Sequence, residues 1–188
     1  MSETTIVLPR PAEALAEVER TLVFVDIVGS TRLVDAIGDV AWAHLLSWHE
    51  RTLEALFEHH GGELVDQAGD GFFVSFEEAC AAIHCAVAIQ RTLDRHRRVN
   101  GFALEVSIGV HRASVLRSGR AYRGKGVHVA ARIAALATAG EILVSLATVA
   151  SRDDVSTFGL RTVELEGISE PIELQAIDWT QIPSALQA

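Results

Sequence analysis

The sequence predicts an α+β protein with a ferredoxin-like βαββαβ core and additional strands at its C-terminal end. Two observations carry this prediction. A continuous apolar run precedes a helix, a short hairpin and a second helix, and a strand with alternating apolar residues follows them. The chain has 188 residues, of which 49% are hydrophobic and 22% are charged, so it is long enough for one domain with a buried core.

The first predicted strand is the apolar, β-branched run TLVFVDI, residues 21–27. Asp26 lies at the end of this strand, and Gly29 follows it as a turn. Ser30 or Thr31 is expected to cap the start of a helix, because both side chains can accept a hydrogen bond from a free backbone N–H group.

A helix, a hairpin and a second helix are expected next. The first helix is predicted over about residues 39–60, where apolar side chains recur every three or four positions until a Gly-Gly pair. Two short strands follow over about 63–67 and 71–76, and the Asp-Gly step in the AGDG segment between them is typical of a tight hairpin turn. The second amphipathic helix is predicted over 77–98.

The second half begins with FALEVSIGVH, residues 102–111, whose alternation of apolar residues predicts a strand with one polar face. ASVLRS, residues 113–118, is a candidate partner strand. The remaining predicted elements are a glycine-rich basic loop over 117–126, a small-residue helix over 127–137, a strand over 141–145 and two strands around a glycine turn within 162–177. We therefore expect a lead-in (1–19), one domain (20–177) and a tail (178–188).

Charge and hydropathy limit the classes of partner. The formal net charge is −9, which argues against non-specific binding to nucleic acid, because such binding needs a basic surface. The first twenty residues lack the pattern of a secretory signal peptide, and no apolar run approaches the roughly 18 residues of a membrane span. We expect a cytoplasmic protein that binds neither nucleic acid nor membrane.

Two carboxylates are the first candidate functional groups. Asp26 ends the first strand and Asp70 lies at the tip of the hairpin, so a shared sheet would bring them to one edge. Facing carboxylates repel unless a cation lies between them, and hard oxygen ligands suit Mg²⁺ or Mn²⁺ together with phosphates. The alternative is that Asp70 is only a turn residue and Asp26 only a helix cap.

Four segments carry a resemblance to a known family. VFVDIVGSTRL, GGELVDQAGDGFFVSF, VSIGVHRASV and GKGVHVAARIA resemble, in order and spacing, the signature blocks of the class III nucleotidyl cyclases, the adenylate and guanylate cyclase catalytic domain. The likeness covers roughly residues 20–177. It implies the class III cyclase fold and an enzyme that converts a nucleoside triphosphate to the 3′,5′-cyclic nucleotide and pyrophosphate.

The resemblance also implies roles for individual residues at the phosphate end of the substrate. Asp26 and Asp70 match the carboxylates that hold two Mg²⁺ or Mn²⁺ ions, and Ile27 matches a residue whose backbone carbonyl helps to bind the second ion. Backbone N–H groups at the following helix start would approach the phosphates. The candidate phosphate-binding residues are Gly29, Ser30 and Thr31.

Two side chains of the helix predicted over 127–137 match further catalytic positions. Arg132 matches the arginine that stabilises negative charge on the phosphoryl group in the transition state, and His128 falls where many relatives carry an asparagine that orients the ribose. The alternatives are a plain surface arginine and a half-buried structural histidine. Family active sites form between two catalytic domains, with the metal aspartates from one and the arginine from the other, so the resemblance implies a homodimer.

The positions that read the base depart from the family pattern. Asp66 stands where adenylate cyclases usually have lysine and guanylate cyclases glutamate, and Ala121 stands at the partner position. Glu166 replaces an expected phosphate-contacting lysine, and Lys125 is the only lysine in the chain. Compensating charge is expected from nearby arginines, which are Arg117, Arg120 and Arg123.

These departures leave the substrate and even the activity open. ATP is the family default, but an ionised aspartate only accepts hydrogen bonds, which suits guanine or cytosine and makes GTP or a pyrimidine triphosphate a contender. A second hypothesis is a weak or inactive cyclase-like dimer that binds a nucleotide or regulates a partner. A third, a diguanylate cyclase, rests only on the GGEL segment at 61–64, which lies between a predicted helix and a predicted strand.

Overall fold

A computed structural model describes residues 15–150 and 155–181 as a mixed sheet with helices on both of its faces. The strands are β1 (Ala16–Ile27), β2 (Glu63–Ala68), β3 (Gly71–Phe76), β4 (Val106–Ser118), β5 (Ala121–Arg123), β6 (Ile142–Ser145), β7 (Thr157–Val163) and β8 (Ile172–Ile177). The helices are α1 (Ser30–Ile37), α2 (Asp39–His59), α3 (Ala79–Asn100), α4 (Lys125–Leu136) and α5 (Leu146–Val149). None of the helices in these described ranges is both long and apolar enough to cross a membrane.

The sheet has the ferredoxin-like core that the sequence predicts. Its strand order is β2-β3-β1-β4-β6-β8-β7, and the first four strands pair antiparallel, with the β2–β3 hairpin on one side of β1 and β4 on the other. Strand β6 then joins β4 in parallel, and the β7–β8 pair completes the sheet as the expected C-terminal addition. The prediction of an α+β fold with extra strands is therefore confirmed.

The central strand β1 assigns alternate residues to the two faces of the sheet. Val23, Val25 and Ile27 belong to the core that packs against α2 and α3, whereas Leu22 and Phe24 pack on the opposite face with side chains of α4. Asp26 follows this alternation and lies on the α4 side. The sequence pattern of β1 therefore directs the end of the strand, and its carboxylate, toward that face.

Helix α4 approaches the sheet unusually closely. A Cβ atom added at Gly109 of β4 would lie 2.3 Å from the backbone nitrogen of Ala134 and 2.6 Å from its Cα. About two turns earlier along the helix, a Cβ at Gly126 would lie 2.5 Å from the Cβ of Ala113. Only small residues permit this spacing, because any larger side chain would push the helix away from the sheet.

The structure corrects several element boundaries. Strand β1 begins at Ala16, so part of the predicted lead-in (1–19) belongs to the central strand. The segment 113–118 is not a separate partner strand but continues β4, because the added part of β1 pairs with it from Ala16 opposite Arg117 onward. Strand β5 lies inside the predicted basic loop. The remaining lead-in, up to residue 14, and the tail from residue 182 lie outside the described residues.

The helix after β1 is also capped differently from the prediction. Gly29, not Ser30 or Thr31, occupies the N-cap position of α1, with φ of 72° and no capping side chain. Ser30 and Thr31 are instead the first two helical residues. A left-handed φ suits glycine, and it turns the chain directly from the end of β1 into the helix.

Replacing Gly109 with alanine should destabilise the protein by about 2 kcal/mol or more, because the new methyl group would overlap the backbone of α4. Urea unfolding followed by circular dichroism would measure the change. The double variant Gly109→Ala/Ala134→Gly should recover little of the loss, since the two nearest atoms belong to the backbone. Full recovery would mean that the side chain of Ala134 sets the spacing.

Candidate active site

The carboxylate of Asp26 lies against the turn of the β2–β3 hairpin. Val25 pairs with Phe72, so the next step of the antiparallel ladder brings Asp26 beside Gly71. A Cβ atom added at Gly71 would lie 3.3 Å from Asp26 Oδ1. The missing side chain at Gly71 therefore makes room for the carboxylate.

Asp70 precedes Gly71 and supplies the second carboxylate. Its Oδ2 atom is buried and has no hydrogen-bond partner within the described residues. Partial burial raises the pKa of Asp26, and the negative charge of Asp70 raises it further, while a hydrogen bond involving the Ile27 backbone opposes both. The two carboxylates are therefore close enough to repel each other, as the sequence predicted from the strand order.

This pair fits a divalent cation. A buried carboxylate oxygen without a partner costs free energy unless a proton or a cation satisfies it, and two hard oxygen donors suit Mg²⁺ or Mn²⁺. Among the residues that the structure describes, no group of three or more His, Cys, Asp or Glu side chains could hold a metal. Further ligands would have to come from a substrate, water or a backbone carbonyl such as that of Ile27.

His49 is a neighbour of this pair that the sequence analysis did not single out. It lies on α2 with 0% of its surface exposed, and neither ring nitrogen has a hydrogen-bond partner among the described residues. Burial lowers the pKa of His49 to about 4, while the charge of Asp70 opposes this change. A histidine within the apolar stripe of an amphipathic helix is the signal that could have identified it.

A cavity of about 650 Å³ opens beside Asp26, between the hairpin strands and α4. It brings together four of the predicted site residues, which are Asp26, Asp66, Ala121 and His128. The other lining residues are Phe24, Val25, Val65, Ala68, Gly71, Phe72, Phe73, Tyr122, Val127, Ala131, Ala134 and Ala135. Its size and mainly apolar lining are typical of a site for a small organic ligand.

Aromatic side chains form one wall of the cavity. The rings of Phe24 and Phe73 are stacked, with centroids 4.4 Å apart and planes 6° from parallel, and Tyr122 meets Phe73 edge-on at 6.4 Å. Asp66 lies beyond them on β2, just after a bulge between Leu64 and Asp66. Its Oδ1 atom accepts a hydrogen bond from the backbone N–H of Gln67 at 2.9 Å. The cavity thus has an apolar wall and a polar acceptor.

Helix α4 presents His128 to the cavity, but Arg132 is not among the described residues that line it. Arg132 is exposed and lies 3.5 Å from a carboxylate oxygen of Glu166. The structure thus separates Arg132 from the cavity of its own chain and pairs it with the residue that stands in place of the expected lysine.

The arginines expected to compensate for the missing lysines are engaged elsewhere. Arg117 and Arg120 both pair with Glu63, at 3.2 Å and 3.9 Å. Both contacts hold these arginines at Glu63 in the described structure. Compensating charge at the phosphates stays a prediction for them and for Arg123.

The candidate phosphate-binding residues follow Asp26 closely in the chain. Gly29 caps α1, and Ser30 and Thr31 are its first residues, so their backbone N–H groups have no acceptor within the helix. These N–H groups and the positive end of the helix dipole favour an anion at this point. The three residues lie outside the lining of the cavity beside Asp26.

Comparison with known sequences gives a family match over most of the chain. The model of the adenylate and guanylate cyclase catalytic domain matches residues 13–173. A putative adenylate cyclase 3 from Rhizobium meliloti (strain 1021) is 29% identical over 163 residues, which cover 84% of this chain but 27% of that protein. The chain therefore spans only about a quarter of the length of this relative.

Solved structures share the fold. The adenylyl cyclase CyaB from P. aeruginosa superposes with a TM-score of 0.79 at 22% identity, covering 87% of this chain and 95% of that one. The guanylyl cyclase Cya2 superposes with a TM-score of 0.79 at 24% identity, covering 89% and 94%. At these identities the comparison concerns the fold alone.

The carboxylate pair predicts opposite effects of Asp26→Asn with and without a cation. Without Mn²⁺ the variant should melt no lower than the wild type, because it removes the repulsion with Asp70. A hundredfold excess of Mn²⁺ over its Kd should raise the melting temperature of the wild type by about 5 °C or more, and that of Asp26→Asn hardly at all. Differential scanning fluorimetry measures both effects.

Asp35→Asn is the matched control, because it neutralises an exposed carboxylate on α1. It should keep the full response to Mn²⁺. A full response in Asp26→Asn and in Asp70→Asn would exclude the pair as the cation site.

Proposed function

Because the chain belongs to the adenylate and guanylate cyclase catalytic-domain family, we propose that it converts a nucleoside triphosphate into the 3′,5′-cyclic nucleotide and pyrophosphate. One observation carries the proposal most directly. The carboxylate of Asp26 meets the Asp70 turn, with its unpartnered buried oxygen, at the edge of a cavity that suits a nucleotide in size.

Members of this family generally depend on divalent metal ions. In this chain Asp26, Asp70 and the backbone carbonyl oxygen of Ile27 would hold two Mg²⁺ or Mn²⁺ ions. When bound, such ions supply activation of the ribose 3′-hydroxyl and neutralisation of charge on the triphosphate. The residues of the chain would then have to position the substrate and stabilise the charge that develops at the α-phosphorus.

The N-terminal turn of α1 and two side chains of α4 would position the substrate and stabilise the charge at the α-phosphorus. Backbone N–H groups of Ser30 and Thr31 would bind phosphate oxygens, and His128 would donate a hydrogen bond to the ribose. Arg132 would direct its guanidinium at the α-phosphoryl group, where negative charge increases in the transition state.

The position of Arg132 supports a shared active site. The family's catalytic domains typically dimerise, and Arg132 is exposed and lies outside the cavity lining of its own chain. We propose a homodimer in which each Arg132 acts on a substrate held by the aspartates of the partner subunit.

Asp66 and Ala121 would face the base, since both line the cavity. With Oδ1 of Asp66 bound to a backbone N–H, its other carboxylate oxygen would accept from the base edge. Guanine offers N1–H and an amino group, cytosine offers an amino group, and adenine offers only its N6 amine with looser discrimination. ATP is the substrate expected by family default. The acceptor of Asp66 and the apolar Ala121 instead favour GTP or a pyrimidine triphosphate.

One contact supports a different function, a nucleotide-binding or regulatory dimer with little or no turnover. Glu166 occupies the position of an expected lysine and pairs with Arg132 at 3.5 Å. A carboxylate there would repel a triphosphate and hold the arginine that the reaction needs. Both side chains are exposed, however, so this pair is weak and can exchange with a bound phosphate.

Incubating the purified protein with ATP, GTP, CTP and UTP, each with Mn²⁺, and detecting the product by mass spectrometry tests the proposal. We expect a 3′,5′-cyclic nucleotide and an equal amount of pyrophosphate from at least one substrate. Arg132→Ala should lower kcat by roughly 10²–10³ with little change in KM, because the guanidinium acts on the transition state. Nucleotide binding without any cyclic product would favour the regulatory dimer instead.

Mixing two inactive variants tests the shared site. Asp26→Ala and Arg132→Ala should each retain about 1% of the wild-type activity or less, and an equimolar mixture that exchanges subunits should recover about a quarter of it. The reason is that half of the dimers are mixed and each mixed dimer contains one intact site. No recovery, despite subunit exchange shown by crosslinking of differently tagged variants, would place both residues in one subunit's site.

A further inference from the structure

Glu63, the first residue of β2, binds three side chains of the β4–β5 hairpin. The guanidinium of Arg117 lies 3.2 Å from both carboxylate oxygens, and the hydroxyl of Tyr122 donates a hydrogen bond to Oε2 at 2.8 Å. Arg120 lies 3.9 Å from Oε1 and donates to the backbone carbonyl oxygen of Leu64 at 3.1 Å. We call these four side chains, Glu63, Arg117, Arg120 and Tyr122, the Glu63 clamp.

The clamp connects strands that are not neighbours in the sheet. In the order β2-β3-β1-β4, two strands separate β2 from β4, and β5 pairs only with β4. The β4–β5 hairpin therefore curves over the α4 face of the sheet, and its end is tied to β2 by Glu63. This connection is partly buried: the side chain of Glu63 is 29% exposed and Tyr122 only 6%.

The two strands that the Glu63 clamp connects, β2 and β5, also carry Asp66 and Ala121, the residues proposed to face the base. Ala121 precedes Tyr122 on β5, and Asp66 lies three residues after Glu63 on β2, beyond the bulge. Tyr122 also rests on Phe73, which stacks on Phe24. The separation of Ala121 from Asp66, and the position of the aromatic wall, therefore depend on the contacts that Glu63 makes.

We propose that Glu63 is a positioning residue for base selection, which fixes the width of the cavity between Asp66 and Ala121. The inference rests on the proposed function for the identity of the ligand as a nucleotide. Glu63 does not line the cavity and would not touch the substrate. Its effect reaches the base through Tyr122 and the β5 backbone, while the carboxylate pair at Asp26 and Asp70 stays unchanged.

The test measures base discrimination in Glu63→Ala, Glu63→Gln and Tyr122→Phe. In the wild type one triphosphate should be preferred, and Glu63→Ala should reduce the ratio of kcat/KM between this and the next substrate by about tenfold. The loss of discrimination should come from a change in KM. The kcat on the preferred substrate should stay within about threefold of the wild-type value, because the residues at the phosphates are unchanged. Glu63→Gln should retain part of the discrimination, because its amide oxygen still accepts from Tyr122.

Glu141→Ala is the matched control. It removes an ion pair of 2.8 Å with Arg161, remote from the cavity lining, and should leave discrimination unchanged. If Glu63→Ala fails to fold, Glu63→Gln and Tyr122→Phe decide, since each removes only part of the clamp. Unchanged discrimination in the folded variants would overturn the inference, as would a wild type that does not distinguish the four bases.

Binding of 3′-deoxynucleoside triphosphates separates this inference from the proposed function. These compounds lack the attacking hydroxyl and cannot cyclise, so their Kd values report base selection without turnover. A base preference that Glu63→Ala flattens would support the clamp even if the wild type made no cyclic product, an outcome that would contradict only the cyclase activity. If the wild type made cyclic product but the ratios of Kd between the different bases were the same in the wild type and in Glu63→Ala, only the role of the clamp would be contradicted.

Discussion

The close contact between α4 and β4 is the constraint on which the rest of the structure depends. Because Gly109 has no side chain, the backbone of Ala134 lies almost directly on the sheet, and α4 stays over β4 and its neighbours. The α4 face of β2 and β3 is left without a helix, and the cavity occupies that space. The same contact fixes the rotation of α4, so that His128 faces the cavity while Val129 and Ile133 face the core.

The carboxylate pair costs electrostatic free energy unless a cation or a proton offsets its charge. Asp26 and Asp70 repel each other, and an oxygen of Asp70 is buried without a partner in the described structure. Facing carboxylates of this kind are typical of sites that bind a cation, because the cation offsets their mutual repulsion. Burial of apolar side chains offsets this repulsion in the folding free energy, since Ile27, Phe72 and their neighbours belong to the largest apolar core.

The order of the core elements and the meeting of Asp26 with Asp70 could be predicted from the sequence, because both follow from local periodicity and a hairpin turn. The sequence could not show that β4 continues through residues 113–118, since this segment becomes part of the strand only by pairing with the early part of β1. Nor could the sequence predict that the ring nitrogens of His49 lack hydrogen-bond partners among the described residues, since this depends on what packs around α2. The partners of Glu63 and Arg132 lie far along the chain, and no local pattern reveals them.

With Lys125 as the only lysine, the chain relies on arginine for nearly every positive charge of its side chains. Two of these arginines, Arg117 and Arg132, pair with carboxylates in very different ways. Glu63 holds Arg117 with two contacts beside a buried tyrosine, a geometry that resists exchange with solvent. Glu166 holds Arg132 by a single exposed contact, which contributes about 1 kcal/mol at most. A triphosphate with its several negative charges competes with the second pair far more easily than with the first. Arg117 is therefore a structural element, and the weak pair with Glu166 is compatible with the catalytic role proposed for Arg132.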